Sequence, residues 1–354
     1  MLSAQPARAS NLRSRVAFGL MAASGFAGLG YQIVWTQQAA LWLGHEAAAV
    51  LAVVTAFFGG LAVGALVVGP FVERSTRPER RYAACEAVIA LWSLALALLM
   101  PRVSGWVLDL TGAQPAAIWQ WAVAFGGTFL LLLPATAAMG ATLPAMERVV
   151  AKMHRQGPAI AALYACNTFG ALLGVLTVAF WLVPEFGLAR TAGVCAVFNV
   201  VCALVAPSLS SESASTLPTR RVARWPLVPL AATGLLGIAY EVLVVRVLSQ
   251  VTEDTVYTFA ILLAVYLVGT ALGAAAYQRW LAAPATGPRE PGLLRDRLLC
   301  LLAAACLLVA FGLPTLPVFY DQEGLLVRKL GIAAVPAIVS QEGKRLRIDE
   351  LVVQ

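Results

Sequence analysis

The chain has 354 residues, 60% of them hydrophobic and 12% charged, with a net charge of +7 and a mean hydropathy of +0.81. An average soluble domain carries about 25% charged residues, so this composition excludes an ordinary soluble protein and makes the lipid bilayer the solvent. The basic residues are divided among alternate loops and form no single surface, which argues for membrane orientation and against a nucleic-acid partner.

A cytoplasmic arm, residues 1–15, carries Arg8, Arg13 and Arg15. Apolar runs of about 20 residues, the length that crosses the hydrocarbon core, then predict nine helices, at 16–36, 47–70, 82–100, 116–139, 160–183, 190–206, 226–248, 256–278 and 298–313. The fold class is an all-α polytopic membrane protein. The first run leads straight into another, as an uncleaved anchor does and a signal peptide does not.

Arg74, Arg77, Arg80 and Arg81 follow the second run, Arg148, Lys152 and Arg155 the fourth, Arg220, Arg221 and Arg224 the sixth, and Arg279, Arg289, Arg295 and Arg297 the eighth. The positive-inside rule therefore places the amino terminus and these loops in the cytoplasm of a bacterial inner membrane, and the end of the chain outside it. Most tryptophans fall near the ends of the spans, where aromatic side chains anchor to the interface; Trp92, in mid-span, is the exception. The chain has no CxxC pair, and His45 and His154 lie in separate loops, so neither a metal site nor a cofactor is expected.

The stretch "GFAGLGYQIVW" at 25–35 returns as "GLLGIAYEVLV" at 234–244. A constant shift of 209 residues pairs Gly25 with Gly234, Gly28 with Gly237, Tyr31 with Tyr240, Gly60 with Gly269 and Gly64 with Gly273. The sequence thus predicts a parallel internal repeat. A six-helix half (16–206) and a basic cytoplasmic linker (207–225) precede a shortened half of three helices (226–313).

Gly60-x-x-x-Gly64 and Gly269-x-x-x-Gly273 are packing faces, because lipid supplies no hydrophobic drive between helices and small residues let backbones approach. The shift also sets Gln32 against Glu241, a carboxylate about 10 Å along its helix from the outer end. There it requires a partner, a proton or water. Arg246 lies on another face of the same helix, so Gln32 or Tyr31 is the expected partner. Two readings follow, a buried clasp between the halves and a ligand or proton site where they meet.

"LPATAAMGATLP" at 133–144 and "LYACNTFGALLGVLTVAFWLVPEFGL" at 163–188 are distinctive. With "GFAGLGYQIVWT" and "GGLAVG" they resemble the membrane domain of spermidine synthase-like proteins, in which it is fused to a polyamine aminopropyltransferase. The resemblance covers residues 16–280. It places Tyr31 and Trp35 on the first family motif, Met139, Gly140, Thr142 and Pro144 on the second, and Tyr164, Asn167, Gly170 and Gly174 on the third; Glu86 matches a family glutamate.

Pro134 and Pro144 are expected to interrupt the fourth helix and free carbonyls for Thr136, Thr142 or Asn167. Glu86, Asn167 and that break form a predicted inner polar cluster, with a carboxylate reaching solvent as the equal alternative for Glu86. Residues after 280 supply no Rossmann-like catalytic unit, so aminopropyltransferase activity is not expected.

The last segment, 314–354, changes character. "PAIVS" and "RLRIDELVV" flank a Gln341-Glu342-Gly343-Lys344 turn and predict two strands. "GIAAVPAIV" resembles the second half of a thioredoxin fold, which would make Pro336 a cis residue, and the wording is similar to the end of periplasmic proteins of conjugative elements. The tail is expected to be a short extracytoplasmic α/β unit.

The functional expectation is a membrane anchor or a passage for a small cationic solute, a polyamine by the resemblance. Glu241, Tyr240, Tyr31, Gln32, Glu86, Asn167 and Arg246 are its candidate contacts, and Gly140, Pro144, Gly170 and Gly174 join the packing set. The alternatives are a component of polyamine synthesis and a scaffold of a conjugative-transfer apparatus. The shortened second half predicts a homodimer.

Overall fold

The computed structural model describes residues 4–43, 46–111, 116–153, 160–210, 227–248, 256–282, 291–312, 337–342 and 345–350. Helix α1 is Ala4–Leu43 and α2 is Glu46–Val63, which passes through a π turn at Gly64–Val68 into α3, Gly69–Glu73. Next come α4 (Pro78–Thr111), and α5 (Ala117–Trp121) running through a π turn, Ala122–Gly127, into α6 (Thr128–Met153). A further π turn, Val178–Leu182, joins α7 (Ile160–Thr177) to α8 (Val183–Val205). Helices α9 (Leu227–Leu248), α10 (Val256–Ala282) and α11 (Pro291–Gly312) complete the helical part.

The sequence predicts nine spans; among the described residues six stretches are long and apolar enough to cross a membrane: Leu12–Leu41, Ala48–Glu73, Pro78–Leu99, Ile118–Lys152, Ala161–Leu209 and Val256–Tyr277. Two of the expected spans, the fifth and sixth, have merged into the 49-residue run Ala161–Leu209. The run is two arms, because Gly187 breaks the helix at φ 73°, ψ 172°, a conformation essentially confined to glycine. Helices α9 and α11 are 22 residues each, and the apolar stretch seen in α9 is Ala231–Tyr240; the seventh and ninth expected spans lie partly outside the fully described residues.

Pairwise contacts fix how the helices run. Ala22, Phe26 and Gly30 of α1 meet Gly170, Gly174 and Val178 in turn, so α1 is parallel to the first arm. Leu20, Phe26 and Gly30 meet Cys202, Phe198 and Cys195, so α1 is antiparallel to α8. Tyr82 bonds the Leu20 carbonyl and Ser93 reaches Tyr31, which makes α4 parallel to α1. Gly60 meets Thr136, and Lys152 donates to the Thr76 carbonyl, so α2 and α6 run together in the opposite sense. Crossings therefore alternate from α1 to α8, and the 74–77 loop lies at the same end as the close of α6.

Glycine sets the spacing at two contacts. A Cβ at Gly60 or Gly64 would overlap Thr136 or Ala137 of α6, and one at Gly140 would overlap Leu61 of α2. Gly25, Gly170 and Gly174 likewise hold α1 on α7 with backbones in contact, as expected where packing and not hydrophobicity joins helices. Among the described residues, no neighbouring helix comes within 4 Å of a Cβ placed at Gly269 or Gly273 of α10. The packing role expected of the second glycine pair is thus not seen within the described chain. Helix α10 docks on α7 instead through Val256, Phe259, Ala260, Leu263, Ala264 and Leu267, one face at helical spacing.

The two prolines do not interrupt α6, which runs through both. Thr136 donates to the Leu132 carbonyl at 2.9 Å and Thr142 to Met139 at 2.7 Å, while the Trp92 indole donates to Leu131 at 2.8 Å. That bond gives the tryptophan out of place in mid-span a main-chain partner on α6, one residue from Leu130, whose carbonyl lacks its helical N–H because of Pro134.

Strands β1 (Ala337–Glu342) and β2 (Arg345–Glu350) form an antiparallel hairpin, with Val339 opposite Ile348 and Glu342 opposite Arg345. Pro336, expected to be cis, lies outside the described residues.

Candidate functional site

Buried polar side chains gather on three helices. On α1, Ser24, Tyr31, Trp35 and Gln38 recur at intervals of seven, four and three and so share one face. Tyr82, Glu86 and Ser93 share a face of α4, and Thr191, Cys195 and Asn199 a face of α8 at four-residue spacing. Because α4 and α8 both pack on α1, these faces make one seam. From Ser24 to Gln38 it rises about 21 Å, at about 1.5 Å per residue, a large part of the hydrocarbon thickness.

At the Ser24 end of the seam lies Glu86, with no exposed surface. Asn199 Nδ2 donates to Glu86 Oε2 at 2.6 Å. The hydroxyls of Ser24 and Tyr82 flank the carboxyl, and among the described residues no basic side chain contributes to its surroundings. Among the described residues, Glu86 Oε1 and Asn199 Oδ1 have no hydrogen-bond partner. A buried, unpaired carboxylate costs several kcal/mol, which only a proton or a bound cation offsets. The expected alternative of a carboxylate reaching solvent is therefore replaced by a fully enclosed one.

Farther along the seam, Tyr31 lies beside Ser93 and Cys195 and stacks on Trp35 with ring centroids 5.5 Å apart. The Tyr31 and Ser93 hydroxyls face each other, while Trp35 Nε1, Gln38 Oε1 and Thr191 Oγ1 are buried without a hydrogen-bond partner among the described residues. Native interiors leave few such atoms, so a row of them along one seam is a chemical signal.

The other sequence candidates fall elsewhere. Gln32 is buried, its amide unpartnered, while its main-chain carbonyl accepts from Thr36 at 2.8 Å. Asn167 lies against Gly25 on α7, so the expected cluster of Glu86 with Asn167 gives way to Glu86 with Asn199. Tyr240 is half-buried on α9, which packs on α10 and α11, whereas Tyr31 faces α4 and α8. The side chains of Glu241 and Arg246 lie outside the described residues.

The sequence reading passed over Ser24, Tyr82, Ser93, Thr191 and Asn199. The available signal was their helical spacing, which puts each on the face of an apolar span already carrying a polar residue. Among the described residues no cluster of three metal-binding His, Cys, Asp or Glu side chains occurs. The chain matches no protein-family model, no curated protein and no solved structure.

Proposed function

We propose that the chain is a bacterial inner-membrane protein whose six-helix half binds and passes a small cationic solute along the seam between α1, α4 and α8. Glu86 holds the positive charge. One observation carries this reading: a fully buried carboxyl with a free oxygen and no basic partner among the described residues. A purely structural carboxyl at that depth is expected to have all its acceptors satisfied, because nothing in the hydrocarbon does it instead.

The aligned hydroxyl, indole and amide groups of the seam offer a solute successive polar contacts in place of water. The resemblance described above makes a polyamine the first solute to try. The basic loops orient the bundle with its amino terminus in the cytoplasm, by the positive-inside rule.

Uptake of radiolabelled spermidine into proteoliposomes tests the reading. Wild type is expected to accumulate label and Glu86→Gln, folded to the same yield, is expected to lose at least about tenfold in rate, the equivalent of about 1.4 kcal/mol. Equal uptake by both proteins refutes it.

A further inference from the structure

At the Glu86 end of the seam the hydrogen-bond donors are already committed. Asn199 Nδ2 donates to Glu86 Oε2, the Ser24 hydroxyl donates to the same carboxyl, the Tyr82 hydroxyl donates to the Leu20 carbonyl at 3.3 Å, and the Cys202 thiol donates to that carbonyl as well. What is left is acceptors. Glu86 Oε1 and Asn199 Oδ1 carry unused lone pairs, and the Ser24 and Tyr82 oxygens stand at the carboxyl. An occupant must therefore bring positive charge.

Its charge and size are also restricted. The group holds one formal negative charge, so a monovalent ion neutralises it where a divalent one would leave a buried excess. All the ligands are hard oxygens, which suit alkali ions and not soft metals. Ser24, Tyr82, Glu86 and Asn199 are all buried between tightly packed helices, which favours a small bare ion over an occupant with an organic body.

We infer that, in the packed state described here, Glu86, Asn199, Ser24 and Tyr82 form a site for a dehydrated alkali cation of the sodium class. The inference rests on the reading that Glu86 binds positive charge, and it adds the ion that occupies the seam before the solute does. Sodium sites built from main-chain and side-chain oxygens at mid-membrane are the physical precedent in transporters with broken helices; here side chains supply them.

The test is the thermal stability of the purified full-length protein in detergent, titrated with sodium chloride, choline chloride or spermidine chloride at constant ionic strength. An ion that binds only the folded state raises the melting temperature in proportion to the logarithm of its concentration once above its Kd. Wild type is expected to rise with sodium and not with choline, Glu86→Gln to be flat, and Ser24→Ala to need about tenfold more sodium for the same rise, the loss of about 1.4 kcal/mol of binding.

Ser24→Ala keeps the test decisive if Glu86→Gln fails to fold. Equal curves in sodium and choline overturn the inference. So does a protein insensitive to sodium whose stability follows pH instead, since a proton is then the occupant. If spermidine stabilises and sodium does not, the inference falls while the proposed function stands; if neither acts, both fall.

Discussion

Gly170 of α7 rests directly on the backbone of Ala22 in α1, with no space between them for a methyl group. Gly170→Ala is therefore expected to force the two helices apart. The cost is about 1–3 kcal/mol, that of overpacking a close contact. Gly269→Ala is the matched control, since among the described residues no neighbouring helix lies within 4 Å of a Cβ there; it is expected to be neutral or slightly stabilising through helix propensity. Unfolding of both variants in mixed micelles checks the contrast, and equal losses would contradict the packing.

Asn199 is held to Glu86 by a charge-assisted type of bond at 2.6 Å. Asn199→Ala leaves both carboxyl oxygens without that donor and is expected to destabilise by about 1–3 kcal/mol. Glu86→Gln retains an acceptor for Asn199 and is expected to fold close to wild type. A Glu86→Gln protein less stable than Asn199→Ala would reverse the assigned roles.

The turn between the arms of Ala161–Leu209 depends on Gly187, at φ 73° and ψ 172°. An L side chain at these angles is strained by about 1–3 kcal/mol. Gly187→Ala is expected to lower thermal stability by that amount, while Gly193→Ala, in the following helix, is expected to be tolerated. Identical melting curves would mean that the turn has another geometry.

The contact order alternates the direction of every crossing from α1 to α8, which sets Ser75 and the exposed Glu185 at opposite ends. Single cysteines at these two positions, in a background without native cysteines, are expected to react with an impermeant maleimide from opposite sides of inverted vesicles. Labelling of both from one side would break the topology.

The apolar spans and their glycine faces were legible because both follow from local pattern, hydropathy over a helix length and small residues four apart. Tyr31 and Glu86 stood out as polar groups in apolar runs. Their partners did not, because Asn199 is 113 residues from Glu86 and which faces meet is decided by packing, not by either span alone. Pro134 misled for a related reason: the ring ends a helix in water, but in this bundle Thr136 and Trp92 bond nearby carbonyls and the helix continues. The expected pairing of Tyr31 with the α9 motif rested on the internal repeat, whereas Tyr31 turns toward α4 and α8.

The parallel packing of α1 on α7 also bears on biogenesis. Gly170 is made 148 residues after Ala22, and at about 5–20 residues per second the ribosome takes about 7–30 s to bridge that interval. For those seconds the groove at Gly25 lacks its eventual neighbour, and lipid or the insertion machinery must line it. A chain stalled between α6 and α7 thus presents that groove to whatever cross-linkable factor attends membrane insertion.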